Sequence, residues 1–278
     1  MRIRTVDAFT STPFAGNPAA VLLLEDATSF PHDQWLQHVA AELNLSETAF
    51  AHPLPPANPA PGPADWALRW FTPATEVDMC GHATLATAHI LHTTGTATGT
   101  VRFSTRSGIL TSTAHPDGSL TLDFPTAPLL PTATPDGLAE ALGVEPRTVL
   151  HTGDQVGDLL VECRSESEVH ALAPDLKALA ALSRRGVIAT AQAEGPSAEY
   201  DFVSRCFFPG IGIDEDPVTG SAHTALAPFW SARLGRTELT GLQGGARRGL
   251  VRTALRGDRT LLTGHAVTVL DGELLSTP

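Results

Sequence analysis

At 278 residues the chain exceeds the roughly 100 to 200 residues of a typical domain, which points to two domains and excludes a small disulfide-stapled scaffold. An apolar fraction of 42%, with 22 Pro and 24 Gly, is that of a globular protein with many short turns and excludes a disordered chain. The 18 basic and 30 acidic residues leave a net charge of −12, a field that repels phosphate backbones and anionic bilayers, so neither nucleic acid nor a membrane is an expected partner.

The opening reads as a strand from Arg2 to Phe9, a turn through Pro13, Gly16, Asn17 and Pro18, and a second strand from Ala20 to Leu24. The apolar run from Ala19 to Leu24 stops at Glu25 and Asp26, too short for a signal-peptide core or a membrane span. Three cysteines, Cys80, Cys163 and Cys206, show no C-x-x-C spacing, which argues against a disulfide framework or structural zinc and fits a reducing, cytoplasmic setting. Trp35, Val39 and Leu43 at four-residue spacing predict a helix over Asp33 to Leu43, and Glu47 to Ala51 returns to a strand. The proline-dense stretch from His52 to Asp65 reads as a surface loop. Strands follow at Ala67 to Phe71, Val101 to Phe103, Ile109 to Thr113 and Leu120 to Phe124, with an apolar helix from Gly81 to His92 after the first of them. Pro125, Pro131 and Pro135 mark an interdomain connection, giving a domain over 1–124, to which 266–278 is expected to return, and a second over 125–265.

The second half echoes the first. Cys80-Gly81-His82-Ala83-Thr84 is matched by Thr219-Gly220-Ser221-Ala222-His223 at an offset of 139, half the chain length, and Gly118 to Leu122 is matched by Gly257 to Leu261 at the same offset. Arg106 to Leu110 and Arg247 to Val251 correspond at 141. Three echoes at nearly one offset indicate an internal duplication and an α+β chain of two pseudo-symmetric lobes with a ligand cleft between them.

Three groups of residues are candidates for chemistry. A helix start rich in Gly, Ser, Thr and Ala, as at Gly81 and Gly220, exposes backbone N–H groups that bind an anion, although the same residues also serve as plain caps. Asp214-Glu215-Asp216 before Pro217 either compensates a helix dipole or places Asp216 as a titrating group. Glu47 either ends a solvated strand or, if partly buried, is a general acid/base with a pKa raised toward neutrality. His82 orients or protonates a substrate, or is a satisfied polar group at a helix start. His89 and His92 share a helix face without a further ligand in sequence, so no metal site is expected. No nucleotide-binding glycine motif and no G-x-S-x-G elbow is present.

Taken in order, Asp7-Ala8-Phe9 with Phe14-Ala15-Gly16-Asn17-Pro18, Leu45-Ser46-Glu47-Thr48-Ala49-Phe50, Cys80-Gly81-His82-Ala83-Thr84 and Gly212 to His223 resemble the PhzF (phenazine biosynthesis) family over nearly the whole chain. The resemblance implies a fold like that of diaminopimelate epimerase, two lobes each a mostly antiparallel β-barrel around a central helix, assembled as a homodimer. It implies that Glu47 shuttles a proton at carbon on a small carboxylate-bearing substrate, with Asp216 and His82 as polar partners. Ser221, Thr219, Cys80, Gly81 and Gly220 would bind the substrate, and no cofactor would be needed because one group both takes and returns the proton. Cys80 and Asp216 fall where diaminopimelate epimerase has two catalytic cysteines, so a two-base route stays open beside the Glu47 one. Gln243-Gly244-Gly245-Ala246-Arg247-Arg248-Gly249 departs from the family pattern by lacking a Ser and by an Arg in place of a Gly, which weakens transfer of any one substrate. C–C lyase or hydrolase chemistry on the same fold, or non-catalytic binding of a small acid, are the competing readings.

Overall fold

The computed structural model describes residues 1–55, 64–183, 185–195 and 199–278. It is a mixed α+β protein that divides into two compact units, Met1–Asp123 with Thr263–Pro278, and Phe124–Leu262. Among the described residues no helix is long and apolar enough to cross a membrane.

Unit 1 contains β1 (Arg2–Ala8), β2 (Asn17–Leu23), α1 (Asp33–Leu43), β3 (Glu47–Pro53), β4 (Trp66–Phe71), β5 (Glu76–Val77), α2 (Gly81–Thr93), β6 (Thr100–Thr105), β7 (Gly108–Ala114) and the start of β8 (Leu120–Pro125), and recovers the chain's last strand, Ala266–Glu273. The expected loop from His52 is entered later than the prolines suggest, because His52 and Pro53 still pair with β4; residues 56–63 of that loop lie outside the described ones. The second strand likewise begins earlier than expected, at Asn17, since Asn17 and Pro18 pair with Ala8 and Asp7. Strand pairing runs β1–β2 antiparallel, β2–β3 parallel, β3–β4 antiparallel, β4–β6 parallel and β6–β7 antiparallel. Ala20, Leu22, Phe50 and Phe71 pack on Leu36, Val39 and Ala40 of α1. On the inside, α2 packs against β1, β2, β3, β7 and the last strand.

A helix packed against five strands keeps little polar face, and α2 is buried from Gly81 through Ala88. Its small side chains let the strands approach. Its two mid-helix threonines satisfy their hydroxyls locally, Thr84 on the Cys80 carbonyl at 2.6 Å and Thr87 on that of Ala83 at 2.8 Å.

Unit 2 contains β9 (Leu130–Pro131), α3 (Leu138–Leu142), β10 (Thr148–His151), α4 (Gly153–Val156), β11 (Asp158–Glu162), α5 (Glu166–Ala171), α6 (Leu176–Leu182), β12 (Gly186–Gln192), β13 (Phe202–Phe208), β14 (Ile213–Asp216), α7 (Gly220–Leu234), β15 (Glu238–Gln243), β16 (Gly249–Arg256) and most of β17 (Arg259–Gly264); the last strand is β18 (Ala266–Glu273). Pairing here runs β10–β11 antiparallel, β11–β12 parallel, β12–β13 antiparallel, β13–β15 parallel and β15–β16 antiparallel. Strand for strand this is the sequence of unit 1, and the short β9 stands to β10 as β18 stands to β1. The duplication read from three sequence echoes is therefore a duplication of topology.

Alternate residues of these strands face two apolar layers. Leu160, Ile188, Phe202, Cys206 and Phe208 pack on Ala222, Leu226 and Phe229 of α7, while Val161, Val187, Ala189, Val203 and Phe207 pack under Leu138, Val169 and Leu179 of the outer helices. Inside α7, Pro228 cannot donate to the Thr224 carbonyl four residues back. That buried acceptor is taken by the Ala127 N–H, 3.2 Å away, from the segment that enters the unit.

The β1–β2 turn is held by Asp7, buried, which accepts from the Phe14 N–H at 2.7 Å. It closes at Gly16, where φ is +60° and a Cβ would stand 2.1 Å from the Ala8 carbonyl oxygen. Gly257 also has positive φ, +64°, but open space around its Cβ position. Gly16→Ala should therefore lower stability by about 3 kcal/mol and Gly257→Ala by only about 1 kcal/mol, read from urea unfolding curves of the two variants.

Candidate active site

Two clusters of the predicted residues form, one in each unit, both at the start of the central helix. In unit 1, β3 opens with Glu47, 9% exposed, and α2 opens with Gly81 and His82, the latter 4% exposed. Glu47 Oε2 lies 3.1 Å from His82 Nε2, so the carboxylate is neither a solvated strand end nor isolated. Cys80, the N-cap, makes no side-chain cap bond; its Sγ is 3.5 Å from His82 Nδ1.

Asn17, which the sequence placed in a turn and in a family motif without a role, sets its amide nitrogen 3.1 Å from His82 Nδ1. With the nitrogen there it donates to a neutral ring, and turned over its oxygen accepts from a charged one. In both states Nε2, 3.1 Å from Glu47 Oε2, carries a hydrogen. Burial pulls the His82 imidazole down, yet its negative neighbours outweigh burial and hold it well above 6.5. The Cys80 thiol is pushed up to about 11, chiefly by burial and next by Glu47; on His82 the upward pull comes from Cys80 first and Glu47 next. Donor atoms of Glu47, Cys80 and His82 all lie within 4.8 Å of one another, close enough to share a zinc-like ion. His89 and His92 lie apart from this cluster in their bonding, His89 on Thr268 and His92 on the Ala97 carbonyl.

In unit 2, Asp216 ends β14 and is buried, with its Oδ2 accepting from the Thr219 hydroxyl at 2.5 Å. Thr219 is the N-cap of α7 without a side-chain cap bond, and Gly220 and Ser221 are its first two residues. Gln243, fully buried, locks this turn: its Oε1 accepts from the Thr219 N–H and its Nε2 donates to the Asp216 carbonyl and the Thr219 hydroxyl, each at 2.9 Å. Its only signal in the sequence was its place in the glycine-rich C-terminal motif. Arg185 and Asp158 gave no signal. Arg185 Nη2 donates to Ser221 Oγ at 3.1 Å and Nη1 to Asp158 Oδ2 at 2.6 Å. Burial pushes the Asp158 carboxyl up to about 7 against the opposing pull of that guanidinium.

A cavity of about 410 Å³ in unit 2 is lined by Arg147, Glu162, Arg164, Trp230 and Arg233 and contains none of these residues. Glu162 within it already accepts from Arg233 at 3.1 Å and Thr148 at 2.7 Å.

A family model described as phenazine biosynthesis-like protein matches residues 6–272. The chain belongs to the phenazine biosynthesis-like family. It is 48% identical to an uncharacterized isomerase of Pseudomonas aeruginosa, over 99% of this chain and 98% of that one. A PhzF-family crystal structure from Enterococcus faecalis superposes with a TM-score of 0.88 at 38% identity, covering 99% of each chain. A predicted epimerase from Pseudomonas aeruginosa shares the fold, with a TM-score of 0.74 at 24% identity over 99% of each chain. Within the family this chain is an enzyme of the isomerase class.

The Glu47–His82 pair makes a measurable statement. In Glu47→Gln the imidazole loses one of its two raising partners and should titrate lower than in the wild type, where it is held well above 6.5, both followed by ¹³C NMR of labelled histidine. By linkage, a raised imidazole pKa stabilises the fold fully below pH 6.5 and the contribution is lost as pH rises through the folded-state value. Thermal melts from pH 6 to 9 should show that loss in the wild type and a flatter profile in the variant.

Proposed function

We propose that the chain is a cofactor-independent isomerase or epimerase that moves a proton at carbon on a small carboxylate-bearing acid, either amino acid-like or a cyclic diene acid, with Glu47 as the acid/base. The observation that carries this reading is the buried Glu47 carboxylate 3.1 Å from the His82 imidazole at the start of α2. A buried carboxylate set beside an imidazole is placed to accept a proton from carbon and to return it. His82 and Asp216 act as its polar partners, and Ser221, Thr219, Cys80, Gly81 and Gly220 bind substrate.

Removing a proton beside a carboxylate, or along a conjugated diene acid, builds negative charge on oxygen. Backbone N–H groups at a helix start, fixed before the reaction, stabilise such charge without reorganisation. Glu47 then returns the proton to another carbon or face. A thiol held up to about 11 is a poor base at neutral pH, which ranks the Cys80/Asp216 two-base route below Glu47. In the same reading each unit is a barrel lobe around its central helix, corresponding to 1–124 with 266–278 and to 125–265, and the enzyme is a cytoplasmic homodimer.

The test is solvent deuterium incorporation into a panel of small amino and cyclic diene carboxylic acids, followed by NMR with wild type and Glu47→Gln. Wild type should exchange a carbon-bound proton in at least one acid, and the variant should lose about 100-fold or more of that rate while still binding the acid. Exchange that survives in Glu47→Gln removes Glu47 from the role. A product of changed mass identifies a lyase or hydrolase instead, and binding without exchange identifies a binding protein.

A further inference from the structure

Because unit 2 repeats unit 1 strand for strand, equivalent positions can be compared. In unit 1 the parallel ladder opens with the pair Ala19 and Glu47, and His82 is the second residue of α2. In unit 2, 139 residues on, the pair is Asp158 and Gly186, and Ser221 is the second residue of α7. The carboxylate has changed strands. Gly186 has no room for a side chain, since a Cβ there would lie 2.1 Å from the Phe207 carbonyl oxygen. The functional group next to it is Arg185.

Its guanidinium is fixed from four directions, one of them the Val156 carbonyl, to which Nη1 donates at 3.4 Å. It lies 4.4 Å from the centre of the Phe208 ring, is held by the fully buried Asp158 at 2.6 Å, and reaches Ser221 Oγ at 3.1 Å. Its side chain nonetheless stays 26% exposed, leaving N–H capacity for a ligand. Asp158 Oδ1 has no hydrogen-bond partner among the described residues, so this buried carboxylate is bound to the arginine on one side only. Where unit 1 sets a carboxylate against an imidazole at the helix start, unit 2 sets a guanidinium against a hydroxyl. The first arrangement handles protons and the second handles anions.

We propose that Arg185 is a specificity-determining residue: with Ser221 it forms a subsite for the acidic group of the substrate, so that the enzyme takes carboxylates and rejects their neutral analogues. This deepens the proposed function and rests on it for the word substrate, while the binding preference itself does not. Asp158 is the positioning residue that holds the guanidinium toward Ser221.

The experiment compares benzoate with benzamide, equal in shape and different in charge, by ligand-observed NMR titration. Wild type and Glu47→Gln should both prefer benzoate by at least about 10-fold, and Arg185→Lys should keep part of that preference. Since Arg185→Gln alone strands a buried carboxylate, the decisive variant is Arg185→Gln with Asp158→Asn, which removes both charges together. It should lose about 10- to 100-fold of the benzoate preference while melting cooperatively. For any acid that exchanges deuterium, the same variant should raise KM far more than it lowers kcat. A preference that survives in the double variant, or a wild type with no preference, overturns the proposal. Intact benzoate preference with no proton exchange in any acid would count against the isomerase mechanism and leave this subsite standing.

Discussion

A helix buried on every face can present polarity only at its ends, and in this protein that constraint governs both units. Neither α2 nor α7 is closed by a capping side chain at its start, although Cys80 and Thr219 occupy the cap positions. The first-turn N–H groups of each helix have no acceptor within the helix, so its start is where polar partners gather. Glu47 and His82 gather at one such start; Asp216, Thr219, Ser221, Gln243 and Arg185 gather at the other.

The two starts have diverged in chemistry while the backbone has stayed the same. Pairing order, parallel and antiparallel sense, and the place of the central helix all repeat, down to register pairs 139 residues apart. Side chains at those pairs do not repeat. One half has kept a carboxylate where the other has only Gly186, and an imidazole where the other has a hydroxyl. In the proposed reading, proton transfer belongs to one half and recognition of charge to the other.

Much of this was legible in the sequence, for reasons that differ by element. Residues Asp33–Leu43 form the expected helix because Trp35, Val39 and Leu43 mark one face and Asn44 closes it in the left-handed region at φ 49°. The cluster of Glu47, Cys80 and His82 was legible through motifs rather than spacing, since the residues meet only through the β3 and α2 packing. Strands β11 to β13 were not individually legible. Being buried along almost their whole length, they offer no regular polar–apolar alternation to count. The Arg185–Asp158–Ser221 contact was invisible for another reason: its members are 27 and 36 residues from one another along the chain, and an arginine before a glycine carries no motif. The early start of β2 was hidden by Pro18, which pairs as an edge of the turn where proline normally argues against a strand.

The closure of the chain has its own consequence. Met1 and Leu274 exchange two backbone hydrogen bonds, 2.9 and 2.8 Å, and β18 zips along β1 from Glu273 to Ala266. Unit 2 is continuous in sequence and holds its full set of strands once Leu262 has emerged from the ribosome. Unit 1, made first, lacks the strand that covers β1 until β18 has been made. Synthesis therefore begins in the half that carries Glu47, while that half is completed after the other.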